Sequence, residues 1–328
     1  MLLERADLPL PRAVERMGGL QTQYAPSGYI GLWSRLAGFQ RNDLTKALER
    51  RSVVTGTLMR VTIHTVSKRD YPLFTEAVRQ DRRTWWLNVG RRQAEERRVA
   101  SAARRVRALL ANGPRRRSEI VKELRLDPMM FGGAGLWVDL VRVPPSGTWD
   151  RRSADLYGLA ETWVGPSEVT REEGLDHLVR RYLGAFGPAS RKDIANWAGV
   201  ALSTLAPALE RAKLRRFRDE SGGELLDLPG GPLPDPETPA PVRFLPTWDA
   251  TLLVHARRTQ ILPERLRPRI FSAKTPHSLG TVLVDGRVTG TWTQKDGRPN
   301  VEAFERLPRE TQRALNEETE RFAEFLAP

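Results

Sequence analysis

The chain contains no cysteine. That excludes disulfides, thiolate metal sites, iron–sulfur clusters and a cysteine nucleophile. Histidine is scarce: His64, His177, His255 and His277 are the complete set, and their spacing matches no metal-ligand pattern. No run of ~18 apolar residues occurs, so no membrane-spanning helix is expected. The opening MLLERADLPLPRAVERM has neither the apolar core nor the cleavage-like end of a secretory signal, and a cytoplasmic protein is expected. Lysine is rare, 7 residues against 46 arginines, a ratio that GC-rich coding produces without any phosphate ligand. Gly132-Gly133 and Gly222-Gly223 fit no phosphate-loop pattern and read as turns.

What the chain does have is positive charge. Across 328 residues, 53 Lys and Arg outnumber 40 Asp and Glu, for a net charge of +13. Such an excess points to a polyanionic partner. It is also uneven: 15 basic residues face 5 acidic ones between Arg79 and Arg125, whereas the last 28 residues are net acidic. Nucleic acid explains this better than a generally adhesive surface. The length is that of two or three domains, or of several small units in tandem.

The order of the sequence patterns suggests the tandem arrangement. Pro11 opens a short helix that stops at Gly18-Gly19, and LQTQYA then reads as extended, with Gln21 and Gln23 on one face and Leu20 and Thr22 on the other. A helix through GYIGLWSRL, a helix LTKALERR capped by Asn42 or Asp43, and the β-branched runs SVVTGTLM and RVTIHTV complete a first unit. Helix–helix–hairpin is the order of a winged helix, and it recurs twice. A long basic helix at roughly 92–112, a helix RRRSEIVKEL, a helical stretch near GLWVDL and two short strands form the second unit. RKDIANWAG, LSTLAPALERA and a hairpin across Ser221-Gly222-Gly223 form the third, with Pro207 tolerable only in the first turn of its helix. The expected architecture is therefore a mixed α/β (α+β) chain of three tandem winged helix-turn-helix units: 1–90, 91–165 and 166–228. A proline-rich linker at 229–242 leads to a β-rich, barrel-like region at 243–328 that ends in an amphipathic helix.

LQTQYAPSGYIGLWSRL, TGTLMRVTIHTVSKRDYP, FLPTWDATLLVHARR and TVLVDGRVTGTW, in that order, resemble the AlkZ/YcaQ-like winged-helix proteins. That family comprises bacterial DNA glycosylases that remove N-alkylated purines and unhook interstrand crosslinks, some of them in antibiotic self-resistance. The resemblance implies a catalytic Gln-x-Gln motif, here Gln21, Thr22 and Gln23, acting on duplex DNA that carries alkylated purines. Thr22 stands where the family usually has an apolar residue, and relatives tend to carry more sequence before the motif.

Two amides suit only an easy reaction. A glutamine does not titrate near neutral pH, so it is no general base. Its carbonyl can still hold water and direct a dipole at a sugar that turns cationic as the base departs. The leaving base must then already be activated, as a cationic N7-alkylpurine is. No cofactor or metal is implied, and no lysine lies near the motif for Schiff-base chemistry, Lys46 being the nearest in sequence. A monomeric, monofunctional glycosylase is expected.

Further candidates are Tyr24 beside the motif, and Arg60, Thr62 and His64, which alternate along a strand and are expected to line the same pocket. Asp249 is read as the partner of Arg257 or Arg258 rather than as a base. Candidate phosphate contacts are Arg115, Arg116 and Arg117 at a helix start, Arg191 and Lys192, Lys213, Arg215 and Arg216, and the hairpin residues Arg287, Lys295 and Arg298. The competing reading is a non-catalytic winged-helix regulator or drug-sequestering protein, because winged helices regulate more often than they catalyse.

Overall fold

The computed structural model describes residues 1–89, 96–253, 258–272 and 278–327. Helix α1 (Leu10–Arg16) holds Pro11 in its first turn, where a missing N–H is no loss, and ends at Gly18 and Gly19, both at positive φ. Strand β1 (Leu20–Gln21) is shorter than expected, because the chain bends after Thr22 to enter helix α2 (Pro26–Trp33). Helix α3 (Arg41–Glu49) starts after Gln40, whose N–H donates to Asp43 Oδ2 at 2.8 Å, so Asp43 caps from inside the helix. Strands β2 (Val53–Thr57) and β3 (Ile63–Ser67) form the expected hairpin.

Helix α4 (Asp70–Val89) was not expected. Helix α5 (Glu96–Leu110), strand β4 (Arg115–Arg116), helices α6 (Arg117–Glu123) and α7 (Pro128–Trp137), and strands β5 (Leu140–Arg142) and β6 (Leu156–Leu159) follow. After the short α8 (Ala160–Val164) comes α9 (Arg171–Phe186), also unexpected. The next segment follows the sequence reading: α10 (Arg191–Ala198), α11 (Leu202–Arg211) and the hairpin β7 (Arg215–Arg218) and β8 (Glu224–Asp227). Pro207 lies in the second turn of α11, not its first, and the helix continues through it.

The hairpins of the first two units do not stand apart. They merge into one six-stranded sheet, ordered β1-β3-β2-β5-β6-β4, through Thr55 opposite Arg142 and Gly56 opposite Val141. α4 and α9 pack on that sheet with α10 and α11, burying Phe74, Val78, Leu178, Tyr182, Trp197 and Leu205 in one core. The unexpected helices are thus what joins the sheet to the third unit.

The C-terminal region differs from a barrel. Strand β9 (Arg243–Leu245) is followed by a short helix α12 (Ala250–Leu253), within the region expected to be β-rich. Asp249 Oδ1 accepts the Thr251 N–H at 2.9 Å and starts that helix. After α13 (Arg267–Ile270), strands β10 (Gly280–Val284), β11 (Arg287–Lys295) and β12 (Arg298–Ala303) make an open antiparallel sheet, ordered β12-β11-β10-β9. Asp285 and Gly286, at φ 47° and 70°, make its first tight turn, and Asp296 and Gly297, at φ 50° and 77°, its second. One helix, α14 (Arg309–Leu326), supplies the cover that closure would otherwise provide: Phe322 packs on Trp292 and Phe244 and also reaches Trp33 of α2, each at 4.8 Å between ring centroids. The end of the chain therefore buries its apolar face against the beginning.

Candidate active site

Gln21 and Gln23 sit on the outer strand of the six-stranded sheet and just past it. Leu20 and Thr22 turn inward and are buried, while Gln21 is half-buried and Gln23 exposed, the alternation an extended run requires. Thr22 fills an apolar position by splitting its side chain. Its hydroxyl is 3.1 Å from Thr65 Oγ1, which in turn is 2.8 Å from Thr55 Oγ1. Its methyl faces α2 at Gly28, where any Cβ would lie 2.8 Å from Thr22 Cγ2.

Both glutamine carbonyls are tied to the protein. Gln23 Oε1 accepts the Ile63 N–H at 3.1 Å, and Gln21 Oε1 accepts from Arg60 Nη2 at 2.7 Å. Arg60 was expected on a strand, but it lies in a tight turn at Met59–Val61 between β2 and β3, with Arg60 and Val61 both left-handed at φ 53° and 57°. A β-branched residue there is strained. The turn is held by Thr62, whose Oγ1 donates to the Met59 carbonyl at 3.0 Å, and by Arg60, whose Nη1 donates to the Trp197 carbonyl at the end of α10. Burial lowers the Arg60 pKa to about 10, so the guanidinium remains charged at neutral pH.

His64 pairs with Gln21 across the strands but is only 2% exposed and does not line the cavity that Gln21 lines. Its Nδ1 lies 3.1 Å from the Thr62 carbonyl. Burial, reinforced by the Arg60 charge, pushes its pKa down to about 3, so it is neutral near pH 7. Thr62, too, serves the turn rather than a pocket. Tyr24 is exposed and accepts from Arg152 Nη1 at 2.8 Å.

Gln21 lines a cavity of about 380 Å3, a size found among small-molecule sites (~300–1,000 Å3). Its other walls include Arg16, Ser27, Phe186, Pro246 and Trp248. None of these was singled out from the sequence, since they come from α1, α2, the end of α9 and the loop after β9. Arg35 and Asp249, also in the wall, form a buried two-pronged ion pair at 2.9 and 3.0 Å. Asp249 is thus a structural anion, but its partner is Arg35; Arg257 lies outside the described residues, as does the Arg258 side chain.

A family model described as DNA glycosylase AlkZ-like matches residues 14–325. The chain belongs to the AlkZ-like DNA glycosylase family. Its fold is similar to that of the Streptomyces sahachiroi DNA glycosylase AlkZ, with a TM-score of 0.83, 19% sequence identity, and coverage of 99% of this chain and 93% of that one. No curated protein sequence gives a significant match. Within this family the substrate is DNA, and the basic side chains can be weighed accordingly.

The basic clusters are less available than their charge suggests. Arg115 and Arg116 form strand β4 and only Arg117 begins a helix; Arg116 pairs with Asp155 at 3.0 Å, and Arg117 donates to the Pro128 carbonyl at 3.3 Å. Arg191 and Arg216 share Glu224 across the third unit, Arg215 lies over the Phe217 ring, and Arg298 pairs with Glu320 at 2.6 Å. Lys192, Lys213, Arg287 and Lys295 are exposed, and among the described residues they form no ion pair. No described helix is long and apolar enough to cross a membrane, and no cluster of three or more metal-ligating side chains occurs among the described residues.

Proposed function

We propose that this chain hydrolyses the N-glycosidic bond of cationic N7-alkylpurines in duplex DNA, with Gln21 and Gln23 at the reacting sugar. The observation that carries this reading is the pair itself: two neutral amides, each fixed through its carbonyl, with Gln21 on the wall of a cavity that has aromatic sides. The residues around the pair favour a reaction without proton transfer by the protein. His64 is buried and neutral, and Asp249 is consumed by Arg35. An N7-alkylated purine needs no such transfer. When its bond to the sugar C1′ breaks, the electron pair neutralises the base; water then attacks C1′, and its proton passes to solvent. The enzyme has only to extrude the nucleotide, orient water and offset positive charge on the sugar.

In this reading the three helix–helix–hairpin units act as winged helices along the duplex, and Lys192, Lys213, Arg287 and Lys295 contact phosphates. The enzyme acts as a monomer and forms no Schiff base. Bulky N7 adducts and crosslinks are the substrates that a cavity open to solvent would admit.

The test is base release from a duplex carrying one N7-methylguanine, with abasic sites revealed by alkali, for the wild type, Gln21→Ala and Gln23→Ala. Loss of release in both variants with duplex binding retained is the expected result. Gln23→Asp should extend release to less activated lesions, because a carboxylate opposes the sugar cation more strongly than an amide does. No release by the wild type from either N7-methylguanine or bulky N7 adducts would favour a DNA-binding regulator instead.

A further inference from the structure

We infer that Gln21 acts through its amide N–H groups, donating to a phosphodiester oxygen beside the lesion, and that Arg60 is the positioning residue that turns it that way. The inference rests on the reading of Gln21 and Gln23 as the reacting pair. A guanidinium has donors only, so the atom of Gln21 at 2.7 Å from Arg60 Nη2 must be its carbonyl oxygen. Gln21 lines the cavity and Arg60 does not. The carbonyl is therefore held from behind, and the NH2 group is the part left for the substrate. A carbonyl already facing a cation is also badly placed to offset a second cation on the sugar. Gln23 differs in its donor: its carbonyl accepts from the neutral Ile63 N–H, so the lone pair it keeps does not lie against a fixed cation. The geometry thus divides the labour, with Gln23 at the water and the sugar cation and Gln21 on the DNA backbone.

Arg60 is fixed by the third unit as well as by its own turn. Its other nitrogen donates to the Trp197 carbonyl, and Gly199 approaches so closely that a Cβ there would lie 2.8 Å from Arg60 N and 2.9 Å from Arg60 Cα. Gly199 is itself left-handed, at φ +71°, so a side chain is excluded twice over. The amide of Gln21 is in this way set by a helix end nearly 180 residues further along the chain.

The experiment is single-turnover base release from the N7-methylguanine duplex with enzyme in excess, together with duplex Kd and melting temperature, for Gln21→Ala, Gln21→Glu, Arg60→Met and the double variant Arg60→Met/Gln21→Ala. A glutamate at position 21 would keep the contact to Arg60 but lose both donors. Expected are losses of at least about 100-fold for Gln21→Ala and Gln21→Glu alike, and about tenfold for Arg60→Met with duplex Kd unchanged. The double variant should be no slower than Gln21→Ala, because Arg60 acts only through that amide. If Gln21→Ala is inactive but Gln21→Glu matches or exceeds the wild type, the carbonyl is the working group and the inference falls while the pair stands. Additive losses in the double variant would show that Arg60 acts apart from Gln21, which also overturns it. Full activity of Gln21→Ala would refute the pair itself. Should Arg60→Met fail to fold, the comparison of Gln21→Glu with Gln21→Ala still decides which group of Gln21 works, and Arg60→Lys in the same double-variant test decides the role of Arg60.

Discussion

Acidification from pH 7 to pH 5 should destabilise this protein by about 2 kcal/mol through a single residue, His64. The ring is 2% exposed, and burial beside the Arg60 charge pushes its pKa from 6.5 to about 3. In the unfolded chain the same imidazole binds a proton below its ordinary pKa, so between the two values the unfolded state holds more protons and stability falls with pH. At pH 5 the solution is about 1.5 below the ordinary histidine value, and each pH unit in that window is worth about 1.4 kcal/mol. The loss begins near pH 6.5 and is complete only near pH 3. Other groups titrate in this range, so the measurement is a difference: urea unfolding of the wild type and of His64→Gln at pH 7 and pH 5. Glutamine can still donate to the Thr62 carbonyl but cannot bind a proton. The wild type should lose about 2 kcal/mol more than the variant over that interval. Equal losses would refute the claim that His64 is held neutral. In the folded enzyme the ring stays neutral down to about pH 3, so His64 should cause no loss of base release by folded protein between pH 7 and pH 5, and the contact from Arg60 to Gln21 should persist there.

Three further outcomes follow from the packing. Thr22→Val should change stability by less than about 1 kcal/mol and leave base release intact, because Thr65 keeps its contact with Thr55; Gly28→Ala, which sets a Cβ 2.8 Å from the Thr22 methyl, should cost about 1–3 kcal/mol in the same melting assay. Asp249→Ala leaves Arg35 buried and unpaired and should destabilise by about 3–5 kcal/mol in chemical denaturation, whereas replacing both residues by leucine should cost less than either alanine variant alone. Replacing Lys192, Lys213, Arg287 or Lys295 by alanine should each lower the slope of log binding constant against log salt by about 0.9, while Arg216→Ala and Arg298→Ala, already paired with Glu224 and Glu320, should change it less.

Local order was legible in the residues themselves. Pro11 and Gly18-Gly19 bound a helix, Gly199 ends another, and Asp285-Gly286 sets a two-residue turn, because each acts on backbone within a few residues of itself. The alternation of Leu20, Gln21, Thr22 and Gln23 likewise follows from an extended backbone, and it singled out two polar side chains on one face. The same locality explains the errors. Arg60, Thr62 and His64 share a period of two, yet Arg60 and Val61 take left-handed turns that no alternation signals. Four C-terminal strands read as a barrel because nothing in their pattern reveals that α14 covers them and docks on α2. A count of charge, likewise, cannot see Asp155, Glu224 or Glu320, which pair with Arg116, Arg216 and Arg298 across the fold. Composition and periodicity thus determined the basic character and much of the element order, though not α4 or α9, while the resemblance to the AlkZ/YcaQ-like proteins pointed to the glutamine pair. Only tertiary structure decided which atom of Gln21 the protein itself holds, because Arg60 and Trp197 are brought to it by packing between distant parts of the chain.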